Sequence, residues 1–160
     1  MSKNAPLRLP ALDPAGLPEL RATSYPEPFR QRVQRRVKRK LGDACGLTQF
    51  GVNLVTLEPG GQSALRHWHT REDEFVYMLS GEVVLVTGSG EQVLRAGLCA
   101  GYAAGKEDAH HFINRSDKPA QYLEIGTRFD DDLAVYPDDD LMWVVKDGRQ
   151  ITAHKDGRPY

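Results

Sequence analysis

Residues 61–81 read GQSALRHWHTREDEFVYMLSG. In an extended strand alternate side chains share a face, so His67 and His69 point the same way and two imidazoles can reach one point inside a curved sheet. Glu74 follows after Thr70, Arg71, Glu72 and Asp73, where the next strand is expected to begin, and its carboxylate can close on the same point. Further on, His110 opens another expected strand, with Phe112 and Asn114 on its face. Three imidazoles and one carboxylate make a mixed nitrogen and oxygen donor set. Such a set suits one divalent transition metal ion (Fe, Mn, Ni, Cu or Zn) and is poor for Ca or Mg. Four protein ligands on a six-coordinate ion leave two positions for water, dioxygen or a chelating substrate, whereas a purely structural zinc site is closed.

Outward from this stretch the texture stays the same. Short runs rich in β-branched and aromatic residues are punctuated by Gly, Pro, Asn, Asp and Ser, which reads as strands near 50–57, 64–69, 74–79, 82–87, 91–94, 99–103, 110–114 and 121–128. Many short strands with tight turns and little helix point to an all-β antiparallel sandwich or barrel. Val76 and Met78, on the face of Glu74, are expected to line its interior with Phe112. Residues 1–28, rich in Pro and Ala, read as an extended arm. Phe29, Val33, Val37 and Leu41 are spaced four apart, which fits one stripe of a short helix; a basic strand is the alternative. In the tail, Leu141 to Val145 (LMWVV) is expected to add an edge strand or to bury an interface.

Composition removes several classes of function. Lys and Arg total 21, Asp and Glu 22, for a formal charge of -1, so the chain as a whole is no generic polyanion binder. Seven basic residues fall within Arg30 to Lys40 (RQRVQRRVKRK), yet no helix-turn-helix pattern accompanies them, and nucleic acid is not an expected partner. The longest uncharged run, Ala44 to Leu57, is 14 residues, short of the roughly 20 that a spanning helix needs. Without a continuous apolar leader, and with only Cys45 and Cys99, the expected location is cytoplasmic and no structural disulfide is expected.

The stretch 61–81 resembles the first motif of the cupin superfamily, and Gly61, His67, His69, Glu74 and Gly81 match each of its elements. Gly97, Gly105, His110 and Asn114 match the second motif, with two departures: Ala103 stands where the family has Pro, and four residues instead of two separate Gly105 from His110. The retained spacing to Asn114 favours His110 over its neighbour His111 as the fourth ligand. The resemblance implies a double-stranded β-helix, the jelly-roll β-barrel, over residues 47–128. It would be preceded by an N-terminal arm (1–46) and followed by an extension (129–160) that packs on the barrel or on a partner. It also implies a homodimer, with the arm and the LMWVV segment as candidate contacts.

The metal ligands expected are thus His67, His69, Glu74 and His110. The function expected is that of a mononuclear metalloenzyme acting on a small polar substrate, either as a sugar or sugar-phosphate isomerase or epimerase, or as a dioxygenase. A non-catalytic module that binds a small ligand is the competing class. Glu72 and Asp73 are candidate general bases if the loop presents them inward; as adjacent charges on a loop they read as solvated, and no catalytic residue is assigned. Arg66 and Trp68 read as packing on the face opposite the histidines. Asn114 reads as a turn cap.

Overall fold

The computed structural model describes residues 7–146 and 149–160. Its strands, in chain order, are β1 (Arg36–Lys40), β2 (Phe50–Leu57), β3 (Trp68–His69), β4 (Glu74–Ser80), β5 (Glu82–Thr87) and β6 (Gly90–Arg95). They continue with β7 (Cys99–Tyr102), β8 (His111–Ile113), β9 (Ala120–Thr127), β10 (Ala134–Val135), β11 (Met142–Lys146) and β12 (Arg149–Ala153). A five-stranded sheet in the order β1-β2-β9-β4-β7 faces a three-stranded sheet, β6-β5-β8, and a four-stranded sheet, β12-β11-β10-β3, lies beside them. All the strand pairings are antiparallel. This is the all-β barrel architecture expected from the strand pattern.

The alternation of residue type decides which face each strand buries. In β4, Val76 and Met78 are buried, while Phe75, Tyr77 and Leu79 point outward. Their inward neighbours Val55, Leu57, Val83, Leu85, Leu94, Phe112, Ala120 and Tyr122 complete one core between the two facing sheets. Each large apolar side chain in it contributes about 1.5 to 3 kcal/mol by leaving water. Gly81 turns β4 into β5 at φ +70°, and a Cβ there would sit 2.8 Å from the Pro119 carbonyl oxygen, so both the turn and the packing call for glycine. Asn114, with no exposed surface, fastens the turn after β8. Its Nδ2 donates to the carbonyls of Leu57 and Lys118, and its Oδ1 accepts from the amide and hydroxyl of Ser116.

Three local expectations are corrected. Residues 29–41 form no single helix. Phe29–Val33 is a 3-10 turn, β1 follows, and Leu41–Ala44 is one helical turn. A helix would have left β2 as an unpaired edge; as a strand the segment pairs with it from Arg36↔Leu57 to Lys40↔Asn53. The strand expected at 64–69 shrinks to Trp68–His69, with His67 held by an isolated bridge to His110. The third correction concerns Glu72 and is given with the site.

The flanking segments are integral to the domain. The arm pairs with β1 through Leu20 and Lys38, and Tyr25 is buried beside Val33, Leu65, Tyr136 and Leu141 in a second core. LMWVV supplies β11, paired on both sides. Arm and tail therefore pack on their own chain, whereas Phe75 (41 % exposed), Tyr77 (41 %) and Leu79 (44 %) lie uncovered on the outer face of the five-stranded sheet. Cys45 and Cys99 are free and exposed. No helix among the described residues is long and apolar enough to cross a membrane.

Candidate metal centre

His67 and His110 are brought together by backbone. The His67 amide donates to the His110 carbonyl at 3.1 Å, and the His110 amide returns the bond at 2.8 Å. His69 ends β3 and Glu74 begins β4, so the four residues expected as ligands converge on one wall of the barrel interior. His111, one residue on, turns the other way, with its Nδ1 3.1 Å from Gln62 Nε2 and no contact to Glu74. The alternation of strand faces separates the two neighbours.

The protons on two of the imidazoles follow from their partners. His67 Nδ1 donates to the Leu65 carbonyl at 2.8 Å, and because that oxygen only accepts, Nε2 carries the lone pair. His69 Nδ1 donates to Asp132 Oδ2 at 2.5 Å, which in the neutral ring puts the lone pair on Nε2. Both bare nitrogens face Glu74: His67 Nε2 is 3.8 Å from Oε2 and His69 Nε2 is 3.7 Å from Oε1. His110 Nε2 lies 3.1 Å from Oε2, an atom that is buried and has no other polar partner.

Two imidazole nitrogens and a carboxylate thus converge where, among the described residues, only His110 Nε2 faces them, an arrangement that a cation would stabilise. Ligand atoms of His67, His69 and Glu74 all lie within 4.8 Å of one another. These residues could hold a first-row transition ion, and their chemistry fits one. Burial pushes the His67 imidazole down to about 4, so it is neutral at physiological pH, as a ligand must be. Burial also pushes the Glu74 carboxyl up, whereas a proton on His110 Nε2 and positive charge on His67, His69 and His110, when those rings carry it, pull the group down to about 2.

Each histidine is oriented by a different device. His67 has a backbone carbonyl, and His69 has a carboxylate that also accepts from the amides of Arg71 and Glu72. His110, whose Nδ1 is buried without a hydrogen bond, is held by ring stacking: Tyr102 lies flat on it, with centroids 3.4 Å apart and an angle of 3° between the planes.

The donor wall faces a cavity of about 450 Å³ whose other linings include Glu72, Arg36, Lys38, Glu124 and Tyr136. Glu72 is therefore not the solvated loop charge expected. Its carboxylate is half-buried at the cavity wall, with Oε1 accepting from the Phe129 amide, because Asp132 draws the 70–72 loop inward. Asp73 is exposed, and its carboxylate caps the Ala104 amide instead. A smaller cavity of about 280 Å³, lined by Trp68, Tyr102 and Lys106, reaches His69 and Glu74 from the far side. Arg66 is turned outward to Asp138, with contacts of 2.6 and 2.7 Å.

Sequence reasoning missed Asp132, Arg36 and Lys38. Asp132 stands in an acidic run with no periodicity to single it out. The alternation Arg36, Lys38 around Val37 did carry a signal, since it places both cations on one face once β1 is a strand.

The cupin domain model matches residues 53–126. A solved structure from Silicibacter pomeroyi DSS-3, described as a sugar phosphate isomerase from a cupin superfamily, is 42% identical, with a TM-score of 0.89 over 94% of this chain and 96% of that one. The chain belongs to the cupin superfamily. This cupin is also similar to a putative sugar phosphate isomerase from Acidithiobacillus ferrooxidans, at 30% identity and TM-score 0.70, over 78% of this chain and 80% of that one. The polyketide cyclase RemF from Streptomyces resistomycificus, 18% identical with a TM-score of 0.61 over 73% of this chain and 78% of that one, shares the fold alone. No curated protein matches the sequence.

Proposed function

We propose that this cupin is a mononuclear metalloenzyme that isomerises a small sugar phosphate, with His67, His69, Glu74 and His110 as the metal ligands. The observation that carries the reading is the convergence of three imidazole Nε2 atoms, of His67, His69 and His110, at 3.8, 3.7 and 3.1 Å from the buried Glu74 carboxylate. The two relatives described as sugar phosphate isomerases, 42% and 30% identical, support the substrate class.

A divalent ion bound there supplies Lewis acidity at a substrate carbonyl. The chain's own residues do the remainder. Glu72, at the cavity wall, takes the proton from the carbon next to the carbonyl and returns it to the former carbonyl carbon, while the hydroxyl proton of the first carbon passes to the carbonyl oxygen, so that one C–H and one O–H bond break, one of each forms, and no redox partner is needed. The Phe129 amide fixes the other end of that carboxylate's reach, and Val76 and Phe112 make the adjoining wall apolar and exclude water from the transfer.

The test is to incubate the metal-reconstituted protein with a panel of aldose and ketose phosphates in D2O and follow the substrate by NMR. Isomerisation with deuterium entering next to the carbonyl is expected, and zinc or manganese should serve as well as iron. Absence of both exchange and turnover across the panel with every metal, together with an unchanged co-purified compound in the mass spectrum, would reverse the reading in favour of a binding module. Strict dependence on iron and dioxygen would reverse it in favour of oxygenation.

A further inference from the structure

One wall of the cavity is built by β1 and the arm, and it brings two cations, Arg36 and Lys38, into a chamber lined elsewhere by carboxylates. Arg36 and Lys38 are paired with Leu57 and Val55 of β2, both fully buried, so the two cations project to the barrel's inner face. Lys38 is neutralised there, with its Nζ 2.5 Å from Glu124 Oε1, and Asn53 Nδ2 donates to the same oxygen at 3.1 Å. Arg36 has no such partner at contact: among the described residues its hydrogen bond runs from Nη1 to the Ser63 carbonyl, a neutral acceptor, and the Glu124 carboxylate acts on it only from beyond ion-pair distance. The hydroxyl-bearing residues Thr23 and Ser24 of the arm line the same cavity. Four other basic side chains of the segment 30–40 are elsewhere or already partnered: Arg32 with Asp139, Arg39 with Glu19, Lys40 with Asp43, and Arg35 with the Pro59 carbonyl.

A half-buried guanidinium with unused N–H groups needs an anion, and a planar fork of donors fits an oxyanion with two oxygens side by side. We infer that Arg36, with the hydroxyls of Ser24 and Thr23 on the lining of the same cavity, forms an anion subsite that takes the phosphate monoester of the substrate. A planar fork with hydroxyl donors in the same chamber suits a dianion with three terminal oxygens better than a carboxylate. The inference deepens the sugar phosphate reading and rests on it for the identity of the ester. It also gives the basic segment a role in the chamber.

The experiment is calorimetric titration of the full-length protein with inorganic phosphate at constant ionic strength, with metal bound and after chelation. Saturable binding is expected in both forms, weakened about tenfold or more in Arg36→Gln and less in Arg36→Lys, with Ser24→Ala weakened to a smaller degree. Arg115→Gln, at an exposed pair with Glu91, should bind as the parent does. Thermal melting of each variant checks the fold, and Ser24→Ala keeps the test open should Arg36→Gln fail to fold. Equal binding in parent and Arg36 variants, acetate binding as tightly as phosphate, or loss of all phosphate binding on chelation would each overturn the subsite. Failure of the isomerase reading shows differently: phosphate would still bind through Arg36 while no sugar phosphate turned over.

Discussion

His69 and Asp132 are joined side chain to side chain at 2.5 Å across 63 positions of sequence, and this one contact couples the tail of the chain to the wall of the barrel that carries the candidate donors. Asp132 fixes the His69 tautomer and holds the 70–72 loop through the Arg71 and Glu72 amides. Asp132→Asn keeps an oxygen for those amides but can no longer accept the Nδ1 proton with a full charge. Metal affinity should fall about 10- to 100-fold, as is usual for the loss of a carboxylate behind a ligating histidine, with little change in melting temperature. Competition with a chromophoric chelator measures it; unchanged affinity would remove Asp132 from the site.

Substitutions at the proposed ligands should separate cleanly from a neighbouring control. His67→Ala, His69→Ala and Glu74→Gln are expected to lose most bound metal as purified, while His111→Ala, which faces Gln62, retains it. Elemental analysis of the four proteins decides, and full metal in both His67→Ala and His69→Ala would disprove the assignment.

The metal-free protein should lose stability as pH falls. His67 titrates at about 4 in the fold against 6.5 unfolded, and Glu74 at about 2 against 4.5. Between those limits the unfolded chain binds protons that the folded chain refuses, so both groups stabilise fully above pH 6.5 and the contribution drains away on acidification, His67 first. Urea midpoints measured from pH 7 to pH 4 should decline in the metal-free form. A flat profile would contradict the burial of these groups.

Asn114→Ala should destabilise the barrel by about 2 to 4 kcal/mol, because it removes a fully buried side chain whose amide serves the Leu57 carbonyl and whose oxygen serves the Ser116 amide and hydroxyl. Equilibrium denaturation reads the loss directly, and metal content should hardly move.

Much of this was legible in the sequence for physical reasons. Strand alternation is strict, so His67-x-His69 had to present two rings together, and Val76 and Met78 had to point inward with them. Gly and Pro punctuation set β4 to β7 and β9 to within a residue or two. What escaped was long-range. An apolar spacing of four fits a helix and also fits a 3-10 turn followed by a strand, and only the need of β2 for a partner chooses between them. Asp132 and Glu72 acquire their roles from a loop and a tail meeting in space, which no local period encodes.

The inner wall bearing Arg36 and Ser24 lies outside residues 53–126, the span shared with the family at large. Recognition and reactivity are thereby carried by separable parts of one polypeptide. Grafting a different leading segment onto an unaltered quartet of donors is a route by which such a barrel could change the molecules it accepts while keeping the same ion.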